Sequence, residues 1–366
     1  MSGWGRARVA KDHLIGGVFG QLTRTSFTAI WLPSARDPKT RTSHGVLGVS
    51  AEDFVMDPSI DLVAFVYHGA DNDVNVDCRS LFSLEPHPLA ACPVLKFSVA
   101  RGNNIIALDL AGDILSIFYK SPGRTFPLVA PFSFSLLSPR AYILGYRGPL
   151  PKLEIWAFEG NLHVHTATLQ LPEVEIGVRN WSFSTRSGGF RVNPGDGRRF
   201  FKSNDERLFV VRFLSHRLFV HLRYLLRYLS NRDGPVIVPW NEWGPQNTRM
   251  LSSRFHDATR YLHSGERVMF HNAFQVLDFG MSALRRRFPG EAPSDTKLVA
   301  ELHTEPSTIF DKRLVAKSVT TSLPYRQVVR TVVDPSGCRF ISIDENQIVG
   351  LLADDDKKES VVVFAF

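Results

Sequence analysis

The sequence holds little that would announce a chemistry. Three cysteines, Cys78, Cys92 and Cys338, stand far apart in 366 residues. An odd, scattered set offers neither a C-x-x-C pair nor a disulfide framework, and free buried thiols in a reducing compartment are the expectation. No apolar run reaches the roughly 18 residues a membrane helix needs. Residues Met1 to Gly17 alternate basic and apolar side chains without the continuous apolar stretch of a signal peptide. The chain therefore reads as soluble and intracellular, with no membrane partner.

Charge is equally unassertive. Lys and Arg number 43 against 36 Asp and Glu, a net of +7. Spread over the chain that is about 0.02 charges per residue, too thin a field to dictate a nucleic-acid partner. The one dense basic block, Arg285-Arg286-Arg287, reads as a helix cap or a solvated face. Crossover helices between strands are missing, and with them the parallel βαβ folds.

What is present is strand periodicity. Ile105–Leu110 and Ile114–Tyr119 flank Ala111-Gly112-Asp113, a hairpin in which Gly112 supplies positive φ. Leu153–Phe158 and Leu162–Leu169 repeat the pattern around Glu159-Gly160-Asn161. Arg339–Ile343 and Gln347–Ala353 repeat it around Asp344-Glu345-Asn346, and after Asp354–Lys358 the chain ends in Val361–Phe366. Leu62–Tyr67, Ala141–Tyr146, Arg207–Phe213, Arg267–Phe270 and Phe274–Phe279 are further strands. Short strands with Gly, Asn, Asp and Pro turns along nearly the whole length predict an antiparallel all-β architecture. At about 40–50 residues per blade the length admits a degenerate, WD-like β-propeller of roughly six to eight blades, fewer if insertions intervene.

Two segments break the pattern. His216–Ser230 places Leu218, Leu222, Leu225 and Leu229 at helical spacing and predicts a short inserted helix docked on the core. Residues 290–296, rich in Pro and Gly after the arginine run, predict a surface loop. No domain boundary is evident, so residues 1–366 read as a single propeller-like domain.

The candidate chemistry is thin. Asp278-Phe279-Gly280 spells a kinase metal-binding triplet, but the Gly-rich loop, strand lysine and catalytic-loop aspartate are absent, leaving a strand that ends in a turn. Gly16-Gly17-Val18-Phe19-Gly20 lacks the preceding strand and the lysine of a phosphate loop. His163 and His165 share one strand face without a third ligand, and His256 and His263 lack the zincin spacing. No metal site and no cofactor are expected. Carboxylate pairs are the remaining route to catalysis, since propeller glycosidases use two acids about 5–9 Å apart. Asp53, Asp57, Asp61 and Asp278 are the acids considered, and nothing in the sequence brings two of them together. Trp240 and Trp243, followed by Arg249 and Met250, form the most conspicuous local cluster. Such residues anchor interfaces, but they also fill the interior of a blade with Arg stacked on an indole, and packing is the expectation.

The stretch Val238-Pro239-Trp240-Asn241-Glu242-Trp243-Gly244-Pro245-Gln246-Asn247-Thr248-Arg249 resembles a signature of the large F-box protein family of mushroom-forming fungi. Further segments similar to that family follow the same order. They are Ala51–Leu62 (AEDFVMDPSIDL), Gly265-Glu266-Arg267-Val268, Val276-Leu277-Asp278-Phe279, Ser322-Leu323-Pro324-Tyr325-Arg326 and Ile343–Leu351 (IDENQIVGL). The resemblance covers about Ile15 to Phe366. It implies the region that follows an F-box, a WD-like propeller used for binding, with no catalytic residues. The F-box itself, a short helical segment that docks the Skp adaptor of a cullin-type ubiquitin ligase, is expected upstream of this region and absent from this chain. The expected function is a non-enzymatic protein-binding module, with a carboxylate-pair hydrolase and a weak nucleic-acid binder as alternatives. The partner is an unidentified protein, and the Skp adaptor joins it only if an F-box lies upstream.

Overall fold

The computed structural model describes residues 11–33, 39–69, 73–99, 104–120, 131–148, 150–174, 183–187, 204–213, 216–230, 234–252, 261–270, 275–280, 297–311, 315–331, 338–343, 347–353 and 359–365. The architecture is all-β, and most of its sheets are antiparallel meanders of consecutive strands, the form of a propeller blade. The first joins β1 (Lys11–Ile15), β2 (Val18–Leu22), β3 (Ser26–Trp31) and β4 (Arg41–Val46); the second joins β5 (Asp53–Asp57), β6 (Leu62–His68), β7 (Asp73–Ser80) and β8 (Val94–Ser98). β9 (Asn104–Ala111) and β10 (Ile114–Lys120) form a hairpin. β11 (Pro131–Ser138), β12 (Ala141–Tyr146), β13 (Lys152–Glu159) and β14 (Leu162–Gln170) form the next meander. β15 (Phe183–Ser187), β16 (Leu208–Phe213) and β17 (His216–His221) begin another. There α1 (Leu222–Leu226), β18 (Val236–Val238) and α2 (Trp240–Asn247) intervene before β19 (Thr248–Ser252) completes it. β20 (Tyr261–Ser264), β21 (Arg267–Phe270) and β22 (Gln275–Asp278) lead to an insertion of β23 (Lys297–His303), β24 (Ser307–Ile309) and β25 (Val319–Thr321). β26 (Tyr325–Thr331) then returns between β22 and β23. β27 (Cys338–Ile343), β28 (Gln347–Ala353) and β29 (Glu359–Ala365) close the chain.

Five sheets among the described residues have four or five strands, fewer than the six to eight blades that length alone admits. The reason is the residues spent on insertions, 222–247 within one sheet and 297–321 within another. The chain divides into two compact units, one of Met1–Gly123, Arg191–Arg199 and Gly337–Phe366, the other of Arg124–Phe190 and Phe200–Ser336. Among the described residues no helix is long and apolar enough to cross a membrane.

The expected hairpins form with their expected turns. Ala111 pairs Ile114 and Glu159 pairs Leu162, so each turn holds two residues. Gly112 and Gly160 sit at φ 61° and 62°, where a side chain would be strained. In the first unit the inner strand β6 is covered on both faces. Val63 and Phe65 point into a core with Phe27 and Phe54, while Ala64 and Val66 meet Val74 and Val76. Phe27 lies edge-on to both Phe54 and Phe65, at 5.0 and 5.1 Å between ring centroids, the offset that aromatic quadrupoles favour. In the second unit β13 alternates in the same way. Leu153 and Ile155 enter the core, and Trp156 stands opposite Tyr142 in a cross-strand ladder that continues to Phe134 and His165.

The segment predicted as a helix, His216–Ser230, is helical only in its second half. His216–His221 is a strand paired on both edges, by β16 and β19, with every residue buried. Of the four leucines only Leu218 lies in this strand, and its spacing to Leu222, Leu225 and Leu229 in the helical half fits a single helix by coincidence. α1 and a 3-10 turn (Arg227–Ser230) follow, with Leu222 and Leu225 in the core as expected. Two smaller expectations also change. Cys92 is exposed and Cys78 only half-buried. Residues 285–287 and 290–296, with His256, Phe274, the turn 344–346 and 354–358, lie outside the described residues.

The Trp240–Arg249 stretch is a structural joint, as the packing expectation has it. Trp243 is buried and its indole N–H donates to Gln170 O at 2.7 Å, tying α2 to the end of β14. Trp240 meets Trp243 edge-on at 5.3 Å, and a Cβ on Gly244 would lie 2.2 Å from the Trp240 ring. Asn247 Nδ2 and Thr248 Oγ1 donate to the carbonyls of Trp243 and Gly244, closing the helix C-terminus. The Arg249 guanidinium lies over the Tyr325 ring, 5.2 Å from its centre, rather than over an indole. Trp243→Ala should cost about 3–5 kcal/mol, through the cavity and the lost bond to Gln170. Urea unfolding at unchanged m-value reads this as a lower midpoint, and a midpoint within error of wild type would contradict the joint.

Candidate functional site

Of the polar residues singled out by sequence, those among the described residues that follow lie inside the fold's own bonding. Asp53 is tied to Lys11. Asp57 accepts from Ser59 N at 3.0 Å and Ser59 Oγ at 2.6 Å, capping the 3-10 turn Pro58–Ile60. Asp278 accepts from Arg267 Nε at 2.9 Å and from Gly280 N at 2.9 Å, so the kinase-like triplet is a strand end with an Asx turn and a buried Phe279. Gly16 and Gly17 form the two-residue turn between β1 and β2, at φ 60° and 79°. His163 Nδ1 meets Tyr142 Oη at 3.0 Å and His165 Nε2 meets Ala167 O at 3.0 Å. Among the described residues no group of three or more His, Cys, Asp or Glu is placed to hold a metal.

One pair of acids does come together, and half of it escaped the sequence reading. Glu266 sits in the β20–β21 turn at 2% exposure, and a Cβ built on Gly280 would lie 2.7 Å from its Oε2 and 2.9 Å from Asp278 Oδ1. The Gly265-Glu266 turn sets Ser264 opposite Arg267, and the β21–β22 register then places Asp278 opposite Arg267, next to Glu266. His221 Nδ1 is 4.0 Å from Glu266 Oε1 and 3.0 Å from Glu206 O. All these groups are buried, so the cluster acts as a polar knot joining β17, β21 and β22. Burial pulls the His221 imidazole below its ordinary range, and the bond to the Glu206 carbonyl opposes that only in part.

Exposed apolar side chains occur on both units, Leu150, Leu162, Ile237 and Phe310 among them; the ones held on a bonded excursion are on the first unit. The excursion between β7 and β8, residues 81–93, carries Phe82 at 61% and Leu89 at 84% exposure, beside Ile60 on the β5–β6 turn. Asp61 builds this rim. It takes the left-handed conformation at φ 55°, which Asp tolerates better than most residues. From there its carbonyl accepts from Leu81 N at 2.7 Å, its Oδ1 from Phe82 N at 3.0 Å and its Oδ2 from Ser80 Oγ. His87, buried, meets Ile60 O through Nε2 at 2.9 Å and accepts from Leu89 N through Nδ1 at 3.3 Å. Those two roles assign the neutral Nε2–H tautomer. Ser43 Oγ donates to Phe82 O at 2.7 Å, and Trp31 meets the Phe82 ring edge-on at 5.8 Å. The backbone of the rim is thus fixed from beneath while Phe82 and Leu89 face water, the arrangement of a preorganised apolar contact.

Two outcomes follow. Asp61→Ala removes two carboxylate bonds and puts a Cβ without a local acceptor at positive φ, so it should cost about 2–4 kcal/mol. Hydrogen exchange at Leu81 and Phe82 should speed up with it, whereas Asp61→Asn should retain most of the protection. For His221 the folded pKa is depressed, so the unfolded chain binds the extra proton first. Stability is complete above the unfolded value near 6.5 and falls as pH drops below it. Denaturant titrations between pH 7.5 and 5 should show this slope, and His221→Asn should reduce it by up to about 1.4 kcal/mol per pH unit.

Comparison with known proteins adds likenesses of shape only. No protein-family model matches the chain, and no curated protein matches it. Among solved structures it is similar to Hsv2 of Kluyveromyces marxianus, at 11% identity over 95% of this chain and 93% of that one, TM-score 0.39. It is also similar to apo AztD from Citrobacter koseri, at 10% identity over 97% and 85%, TM-score 0.36. A third is the β-propeller domain of the Trilobed protease from Pyrococcus furiosus, at 8% identity over 98% and 96%, TM-score 0.30. All three scores lie below 0.5, and nothing about the activity of this chain follows from them.

Proposed function

We propose that this chain is a non-enzymatic protein-binding module on a propeller-like scaffold, acting as the substrate-recognition half of an F-box-type receptor. The observation that carries the reading is where the resemblance-bearing segments fall relative to the exposed apolar rim. Ala51–Leu62 supplies β5, the capped turn and the left-handed Asp61 that hold the rim from below. Phe82 and Leu89, outside every such segment, are what the rim presents to water. A rigid scaffold carrying an independent loop is the division of labour expected of a recognition domain. Aromatic and aliphatic anchors on a fixed backbone are the kind of residues that dominate binding energy.

The same division favours binding over catalysis. Among the described residues Asp57, Asp61 and Asp278 are occupied in turns and His163 and His165 bond to neighbouring strand residues, which is what a scaffold asks of them. In this reading the partner is an intracellular protein that presents an apolar pocket to Phe82 and Leu89. The Skp adaptor takes part through an F-box upstream, where the full gene product encodes one.

The test is affinity purification of the tagged chain from its own cells, in parallel with a Phe82→Asp, Leu89→Asp double variant. Both side chains are exposed, so the variant should unfold within about 0.5 kcal/mol of wild type. A reproducible partner present with wild type and missing with the variant is expected. Identical eluates, or turnover of a small substrate by the purified chain, would overturn the reading. Skp adaptor and cullin among the retained proteins would add the ligase role.

A further inference from the structure

The second meander ends in an unfilled edge. β8 pairs with β7 on one side and, among the described residues, with no strand on the other. The register tells which of its backbone groups are left over. Cys78 N donates to Pro93 O at 2.9 Å, which makes that pair a hydrogen-bonded one, and bonded and non-bonded pairs alternate along an antiparallel ladder. Leu95, opposite Val76, and Phe97, opposite Val74, therefore turn their N–H and C=O groups toward β7. Val94, Lys96 and Ser98 turn theirs outward, about 6.8 Å from one to the next. The Val94 carbonyl takes the Cys92 S–H at 3.1 Å on that outer edge. Among the described residues nothing takes the two backbone groups of Lys96. Side chains add a pattern to this edge. Leu95 and Phe97 share one face at 38% and 45% exposure, and Lys96 stands exposed on the other without an ion pair among the described residues.

We propose that the outer edge of β8 binds an extended segment of a partner protein as an added strand, with an acidic residue facing Lys96 and the apolar residues on either side of it facing Leu95 and Phe97. Outward N–H and C=O groups at ladder spacing are matched by another extended backbone, and alternate side chains set which one. The chain fills the corresponding edge of the β11–β14 meander itself. There β18 lies parallel to β14, with Ala167 opposite Val236 and Leu169 opposite Val238. Charge selects the sequence of the visitor. A carboxylate across the edge from Lys96 is one strand spacing away from it. The acids on the same face, Asp73 and Asp77, lie one strand further in, about 10 Å from the visitor and so about a Debye length away. They are engaged besides, Asp73 with Ser98 Oγ at 2.9 Å and Asp77 with Arg79 Nη2 at 2.7 Å. A second copy of this chain is a poor occupant, because a two-fold contact centred on the strand sets Lys96 against Lys96. The excursion that carries Phe82 and Leu89 runs into β8 through Pro93, so the added strand extends the rim and rests on the binding-module reading. Its own contacts are those of backbone, Lys96, Leu95 and Phe97.

The experiment selects random peptides displayed on phage against the purified full chain, and synthesises an enriched one as the probe. Enriched sequences should carry Asp or Glu between two apolar residues, and the bound peptide should slow hydrogen exchange at Lys96 N–H by about tenfold or more. Lys96→Pro removes the outward N–H, which the β7 ladder does not use, so the sheet keeps its bonds while peptide affinity falls by about tenfold. Lys96→Glu replaces an exposed side chain, should unfold at the wild-type denaturant midpoint, and should turn the selection toward Lys and Arg between the apolar residues. The Phe82→Asp, Leu89→Asp double variant should bind the peptide as wild type does, which separates this edge from the rim. No enrichment on wild type would overturn the proposal. So would a peptide that binds Lys96→Pro as tightly as wild type, and that result would leave the rim to be judged by its own purification.

Discussion

The second unit depends on one buried cation. Arg249, at 2% exposure, gives its Nε–H to Leu323 O at 2.7 Å and its Nη1 to Glu305 O at 3.0 Å and Ser307 Oγ at 2.9 Å. Carbonyl and hydroxyl oxygens hold it, so it works as a three-way staple between β19 and the insertion that precedes β26. Removing such a group would leave the buried Leu323 carbonyl without its partner and release two part-buried contacts at Glu305 and Ser307. Around the staple, Leu323 N donates to Thr248 O, Ser322 N to Pro245 O, and Met250 N to Thr321 Oγ1. The insertion that holds β24 and β25 is thereby tied to β19 and the end of α2, in the sheet preceding the one it interrupts.

Four of the six segments that carry the resemblance are neighbours within the second unit. Trp240–Arg249 is bonded to Ser322–Tyr325, and Gly265–Val268 is bonded to Val276–Phe279 through the β21–β22 pairing and the Arg267–Asp278 ion pair. Phe279 lies 5.4 Å from Tyr325 and 5.2 Å from Phe219, joining both couples in one core. In the first unit Ala51–Leu62 plays the corresponding part for the rim through Asp57 and Asp61. What these segments share is the satisfaction of buried polar groups at turns and strand ends, which is costly to get wrong and indifferent to the partner bound.

Much of the fold was legible because it is local. Gly112 and Gly160 announce their hairpins, since a two-residue turn needs a positive φ that glycine alone meets without strain. The strand ends at Asp278 and the core position of Trp243 follow from turn chemistry and size. The misreadings have equally definite causes. His216–His221 is apolar or buried at every position because neighbours cover both faces and both edges, and no periodicity survives that environment. Glu266 is not among the acids considered from sequence. Only the register across β21 and β22, and the approach of Gly280, reveal that its carboxylate is buried beside Asp278.

The sequence by itself determined the class of structure, because alternation and turn residues act over a few positions and need no partner from afar. It also determined that the usual catalytic spacings are missing. The tertiary structure decided which side chains are left over for other work. Phe82 and Leu89 are ordinary apolar residues by composition and exposed rim residues by position, because Asp61 and His87, some twenty positions away from them or less, hold their backbone outward. Exposure and proximity are set by long-range packing, and that is the part a linear pattern does not carry.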